Sequence, residues 1–238
     1  MLADQVKACV FDVFGTVVDW RGSVIQEGEA LGQQKGLDVN WPRFAEEWRV
    51  EGYSQAIARI RAGEQNWERV DVLHRRKLDE LIIRHGIVGL SEAEIVHFNR
   101  VWHRLNPWSD SVPGLTRLKT RLTISTLSNG DFSLLTDMAK HGKLPWDCIL
   151  SSELFGCFKP DPRVYLGAAK LLDLAPSEVL MVAAHVGDLR AARSLGLPTA
   201  LVPRPREFGS KRPWDPPDGS EFDVVAEGFE DLATQLGV

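Results

Sequence analysis

Three cysteines in 238 residues, Cys9, Cys148 and Cys157, are too few and too scattered for a disulfide framework or a zinc site. Cys9 and Cys148 lie in apolar runs and read as small buried thiols. No apolar run approaches the roughly 20 residues that a membrane helix needs. The opening residues, MLADQVKACVFDVFG, have neither the basic start nor the apolar stretch of a secretory signal. An excess of basic residues is also missing. The net charge of −5 argues against a broad nucleic-acid surface, although a few local cations can still hold a small anion. There is no internal repeat and no low-complexity tract. With 44% hydrophobic and 26% charged residues, the expectation is a cytoplasmic globular protein that binds neither nucleic acid nor membrane.

What is present falls into two textures. Short β-branched runs, Lys7–Phe11, Leu122–Thr126, Cys148–Leu150, Val179–Val182 and Thr199–Val202, each end in turn residues and mostly lead into helical patterns. Strands alternating with helices predict an α/β fold, a Rossmann-like doubly wound parallel sheet covered on both faces. Between them, Trp41–Ile60, Trp67–Ile87 and Ser91–Leu105 carry apolar residues at helical spacing, and Ser91 with Glu94 forms a capping-box pattern. The simplest architecture inserts this block as a helical cap after the first strand. Residues 1–20 and 106–238 then form the core, and residues 21–105 form the cap. Ligands bind at the carboxyl ends of such a sheet, where the cap would act as a lid. Pro203 to Asp218, rich in Pro and Gly, reads as a surface connection before a last strand, Val224–Ala226, and helix, Phe229–Leu236.

Chemistry-bearing residues gather at the predicted strand ends. The first strand runs into Phe11-Asp12-Val13-Phe14-Gly15-Thr16, and the next into Leu127-Ser128-Asn129-Gly130. Phe158-Lys159-Pro160-Asp161-Pro162 then opens a helix carrying Tyr165, and Val179–Val182 leads into Ala183-Ala184-His185-Val186-Gly187-Asp188. Taken singly, Ser128 and Asp188 read as helix caps and Lys159 as a solvated charge. Four such clusters at one sheet edge are hard to explain by structure alone.

Asp-x-x-Gly-Thr, Ser-Asn-Gly, Lys-Pro-Asp-Pro and a terminal acidic loop, in that order and with a helical stretch between the first two, resemble the motifs of the haloacid dehalogenase superfamily. Phosphatases of that superfamily carry Asp-x-Asp in the first motif and bind Mg²⁺ partly through acidic residues of the last. Here the second position is Phe14, and the earlier acidic position of the last motif falls on Ala184. The pattern is instead similar to type II (S)-2-haloacid dehalogenases, hydrolases of carbon–halide bonds that use no metal or other cofactor. The remaining alternatives are a Mg²⁺ phosphatase of small phosphate esters and a catalytically silent binding protein on the same fold.

The resemblance implies that Asp12 attacks the carbon bearing the halogen of a small 2-haloacid, giving an aspartyl ester that water then hydrolyses. It places Arg49 and Asn129 at the departing halide ion. Tyr53, one helical turn from Arg49, would line the substrate pocket with Val13 and Phe14. Thr16 would position Asp12, and Ser128 would contact the substrate carboxylate, assisted by backbone N–H groups near Val13 and Phe14. Lys159 would keep Asp12 ionised, Tyr165 would orient the same network, and Asp188 would serve the hydrolytic water. The resemblance also implies a homodimer. His185 and Gly187 depart from the familiar type II pattern, where an amide and a bulky aromatic residue stand. The role of His185 stays open between base, halide donor and spacer, and fluoroacetate enters as a substrate hypothesis. Trp102 and Trp108 read as packing residues, with His103 undecided.

Overall fold

The computed structural model describes residues 2–209 and 218–238. Seven strands occur among them: β1 (Ala8–Phe11), β2 (Val18–Asp19), β3 (Asn106–Pro107), β4 (Thr123–Thr126), β5 (Val179–Ala183), β6 (Thr199–Leu201) and β7 (Val224–Val225). Five of them form one parallel sheet in the order β4-β1-β5-β6-β7. Every residue of β1 and β5 is buried, as expected for strands covered on both faces. After β1 the chain returns to the sheet as β4 on one flank, then crosses to β5 on the other. The carboxyl end of β1 is thus the switch point of the winding, where a crevice opens.

One expected strand is absent. Cys148–Leu150 pairs with β4 through a single isolated backbone bridge, Ser125 to Cys148. The physical reason is that side chains take over the pairing: Ser125 donates to the Cys148 carbonyl (3.0 Å), while Thr126 Oγ1 donates to the Leu150 carbonyl (2.9 Å) and accepts from its N–H (3.0 Å). The Lys159 cluster therefore follows a 3₁₀ turn, Ser152–Phe155, rather than a strand. Cys9 is fully buried, Cys148 only in part.

The inserted cap is helical. The antiparallel pair β2–β3 lies where the chain leaves the core and where it comes back. Trp20–Lys35 opens the cap, with the Asp19 carboxylate accepting from Gly22 N–H at 2.8 Å. The expected helix Trp41–Ile60 is divided into Trp41–Glu47, a π-helical stretch Trp48–Ser54, and Gln55–Arg61. Such wide turns are often found at functional sites. Val70–Arg84 follows, its N-terminal N–H groups at Val70 and Asp71 received by the carboxylate of Asp131 from the core. Ser91 and Glu94 do form a capping box, but the helix they open stops at Asn99 and tightens to 3₁₀ over Arg100–His103.

Cap and core share one apolar cluster. Phe11 and Phe14 from β1 and its following turn belong to it with Trp20 at the entry to the cap and Trp48 and Trp102 within it, all essentially buried. Trp102 is a packing residue, whereas Trp108 is half-buried and donates its indole N–H to the Gly15 carbonyl at 2.9 Å. His103 bridges cap and core, with its ring nitrogens 2.9 Å from Asp71 and from Asp137. Among the described residues no helix is long and apolar enough to cross a membrane.

The stretch from Pro203 departs from its reading as a plain surface connection. Arg204 donates to the Thr16 carbonyl (2.8 Å) and forks onto Asp110 (2.8 and 3.0 Å), and three residues on, Glu207 is buried. Residues 210–217 of that expected loop lie outside the described residues.

Candidate active site

Asp12 follows β1 directly, its N–H tied to the Val182 carbonyl of β5 at 3.0 Å, and it is 7% exposed. Its carboxylate is held by three donors. Lys159 Nζ reaches Oδ1 at 3.1 Å, while Thr16 Oγ1 (2.8 Å) and His185 Nδ1 (3.0 Å) both reach Oδ2. The Thr16 hydroxyl donates to Asp12, because an ionised carboxylate can only accept, and it accepts in turn from Ala184 N–H at 2.9 Å. Burial alone would raise the Asp12 carboxyl. The Lys159 ammonium, His185 and Thr16 outweigh it and hold the group far below the usual carboxylate range.

Lys159 also donates to Asp188 Oδ2, and Tyr165 Oη donates to Asp188 Oδ1 at 2.5 Å. One ammonium thus serves two buried carboxylates, which separates their acidities. Burial pushes Asp188 up; Lys159 opposes that, and the charge of Asp12 adds to it. Lys159 is itself raised despite its burial, because both carboxylates stabilise its charge. Asn129 fixes the lysine's backbone, accepting from Lys159 N–H (2.7 Å) and donating to its carbonyl (3.3 Å).

The roof comes from the π-helical stretch of the cap. Arg49 and Tyr53 sit one above the other, with the guanidinium carbon 3.9 Å from the Tyr53 ring centre and 5.4 Å from that of Phe14. Arg49 Nη1 is shielded from solvent and has no hydrogen-bond partner among the described residues. Its charge is stabilised by ring faces rather than by a carboxylate. Tyr53 Oη donates to the Asn129 carbonyl at 3.0 Å, tying roof to floor. Between them lies a cavity of about 370 Å³, lined by Asp12, Arg49, Tyr53, Asn129, Lys159, Pro160, Tyr165, His185, Gly187 and Asp188, with the exposed Arg61 at its edge. No described atom lies within 4 Å of where a side chain on Gly187 would begin, so that position leaves the cavity open.

Most residues singled out from the sequence meet here. Ser128 is fully buried, with an Oγ that has no partner among the described residues, but it does not line the cavity. Val13 is also buried outside that lining, and Phe14 stands behind as an apolar wall packed on Tyr53 (5.6 Å between ring centres). Sequence reasoning missed Glu207 and Arg61. An acidic residue in a proline-rich connection, and an arginine at the exposed end of a helix, carry no local signal of a site.

A strand-end carboxylate under a helical block, at the switch point of a parallel sheet, defines a capped, doubly wound α/β protein with its candidate active site beneath the cap. Residues 6–196 match the model of the haloacid dehalogenase-like hydrolases, and the chain belongs to that family. Solved structures similar to it include the L-2-haloacid dehalogenase PA0810, 42% identical with a TM-score of 0.90 over 97% of this chain and 99% of that one. Another is the defluorinating L-2-haloacid dehalogenase Rha0230, 42% identical with a TM-score of 0.93 over 98% and 96%. Among curated relatives, (S)-2-haloacid dehalogenase 1 of Pseudomonas sp. (strain CBS-3) is 29% identical over 226 residues, covering 86% of this chain and 89% of its own.

Proposed function

We propose that the protein hydrolyses small 2-haloalkanoic acids to 2-hydroxy acids through an aspartyl ester on Asp12, without a metal, and that fluoroacetate is among its substrates. Similarity to haloacid dehalogenases at 42% identity over nearly the whole chain supports a hydrolase acting on carbon–halide bonds. The observation that carries the mechanism is the pairing of an ionised carboxylate, Asp12, with a guanidinium, Arg49, whose Nη1 is unpartnered, across a cavity of small-molecule size.

Asp12 attacks the halogen-bearing carbon, and the halide leaves with the bonding electrons toward Arg49 and the side-chain amide of Asn129. Water then attacks the carboxyl carbon of the ester, with Asp188 taking its proton, a carboxylate that burial and the charge of Asp12 raise above its ordinary range against the opposing Lys159. Phe14 and Ala184 stand where the phosphatase branch carries acidic groups, which weighs against phosphoryl transfer. The cap, proposed as residues 21–105, would close over the acid and exclude bulk water. The fluoroacetate reading rests on the defluorinating relative; both ring nitrogens of His185 are engaged, by Asp12 and by Glu207, and leave no N–H for the halide.

The test is halide release from chloroacetate, fluoroacetate and each 2-chloropropionate enantiomer in the presence of EDTA. Halide release unaffected by the chelator is the expected result. No halide from any of these acids, with phosphate freed from para-nitrophenyl phosphate on adding Mg²⁺, would overturn the proposal in favour of the phosphatase reading.

A further inference from the structure

Glu207 is the buried acid that the dehalogenation scheme does not use. It is 4% exposed and held on three sides. Trp20 Nε1–H donates to Oε1 at 3.0 Å, and His185 Nε2 lies 3.0 Å from Oε2. The third side is the backbone at Gly15, where any Cβ would collide with the Glu207 carboxylate. Gly15 has φ +85°, so the position favours glycine twice over, for its conformation and for the close approach of this carboxylate. The loop bearing Glu207 is anchored by Arg204 on Thr16 and Asp110. This placement puts His185 between two carboxylates, Glu207 on Nε2 and Asp12 on Nδ1.

The two oxygens of Asp12 are not equivalent. Oδ2 accepts from both Thr16 and His185, whereas Oδ1 has Lys159 alone among the described residues. We propose that Glu207 is a positioning residue that keeps His185 an imidazolium throughout the cycle, so that His185 Nδ1–H and the Thr16 hydroxyl form an oxyanion hole on Asp12 Oδ2 for ester hydrolysis. The inference rests on the reading of Asp12 as the nucleophile.

The chemistry shows why a second carboxylate is needed. Attack through Oδ1 forms the C–O bond while the carbon–halogen bond breaks and the halide takes its electrons. Asp12 is then a neutral ester with Oδ2 as its carbonyl oxygen, and the anion that faced Nδ1 has gone. Glu207 remains, and holds the ring charged. Water attacks the ester carbon, its proton passing to Asp188, and the carbonyl electrons move onto Oδ2 between the two donors. Collapse breaks the Cγ–Oδ1 bond and expels Oδ1 with the alkyl group, Asp188 returns the proton to it as the product hydroxyl, and the carboxylic acid left on Asp12 releases its own proton to solvent. His185 donates a hydrogen bond at each stage and gives up no proton. Burial works against the charged ring, yet Asp12 and Glu207 together raise it to about 10 in the resting site. The other charged groups sharing its cavity are Lys159, Asp188, Arg49 and, at the edge, Arg61.

The experiment compares wild type with Glu207→Gln, using chloroacetate in rapid-quench and steady-state assays, with intact mass of the quenched protein. In Glu207→Gln the first equivalent of halide should appear at a rate within about threefold of wild type, while ester hydrolysis falls by about 10²-fold, the effect of losing one oxyanion donor. Alkylated protein should then accumulate, and the alkaline limb of kcat should move to lower pH. Glu207→Asp, which keeps the charge, should restore part of the second step. If Glu207→Gln does not fold, His185→Gln should slow ester hydrolysis more than it slows halide release, again with alkylated protein accumulating. Equal loss in both steps, or an unmoved alkaline limb, overturns the inference and leaves the dehalogenase reading standing. A wild type that yields neither halide nor alkylated Asp12 overturns both.

Discussion

The floor and the roof of the cavity handle charge in opposite ways. On the floor the ionic groups are paired: Asp12 with Lys159 and His185, Asp188 with Lys159 and Tyr165, Glu207 with His185 and Trp20. On the roof Arg49 has aromatic faces around it and a guanidinium nitrogen without a partner among the described residues. Buried charges cost several kcal/mol unless compensated, so the floor is already compensated and rigid before substrate arrives. The roof leaves its compensation to an incoming anion. Pre-organisation of the nucleophile belongs to the core, and attraction for a leaving anion belongs to the cap.

The largest expected effect comes from removing the nucleophile. Asp12→Asn should lower halide release by at least about 10⁴-fold, the scale seen when a covalent catalyst is lost. Freshly prepared protein should be assayed and its mass checked, because deamidation would restore Asp12. Full activity in protein whose mass confirms the intact amide would remove the basis for the floor's assignment.

Next are two substitutions that set floor against roof. Lys159→Met should lose activity by about 10²–10³-fold and also destabilise the fold by about 3–5 kcal/mol, because it leaves two buried carboxylates facing each other. Its acid limb of kcat/KM should move to higher pH, since Lys159 is the main group holding Asp12 low. Arg49→Gln should lose activity by about 10²-fold, yet unfold at the same or a higher temperature, as it removes a shielded charge that has ring faces but no carboxylate beside it among the described residues. Thermal melts alongside halide assays check both. A roof variant as destabilised as the floor variant would dissolve the contrast.

The smallest effect is in pH-dependent stability. His185 is raised from 6.5 to about 10, so the stability that its charge provides is complete below about pH 6.5 and is lost as pH rises toward 10. Asp12 is depressed, so its contribution is complete above the ordinary aspartate range and is lost only as pH falls far below it. The melting temperature should therefore decline between about pH 6.5 and 10 in wild type, and that decline should flatten in His185→Gln. An identical decline in both proteins would place its origin outside this pair.

The amino-acid sequence by itself determined the parallel sheet, the inserted helical block and the strand-end clusters around Asp12, Asn129 and Asp188. Hydrophobic periodicity and chain order are local properties, and a strand-end position follows from them. Tertiary structure decided the rest. Cys148–Leu150 failed to become a strand because Ser125 and Thr126 side chains took its hydrogen bonds, a choice that depends on which strand lies beside it. Arg49 and Tyr53 share a helix face by their spacing, but the helix widens at Trp48–Ser54, and no period in the sequence marks a π turn. Glu207 lies 22 residues from the His185 ring it holds, in a proline-rich connection whose path is set by Arg204 reaching Thr16 and Asp110. Long-range placement of a single polar side chain leaves no pattern in the surrounding sequence, so only the folded chain brings that carboxylate to the site.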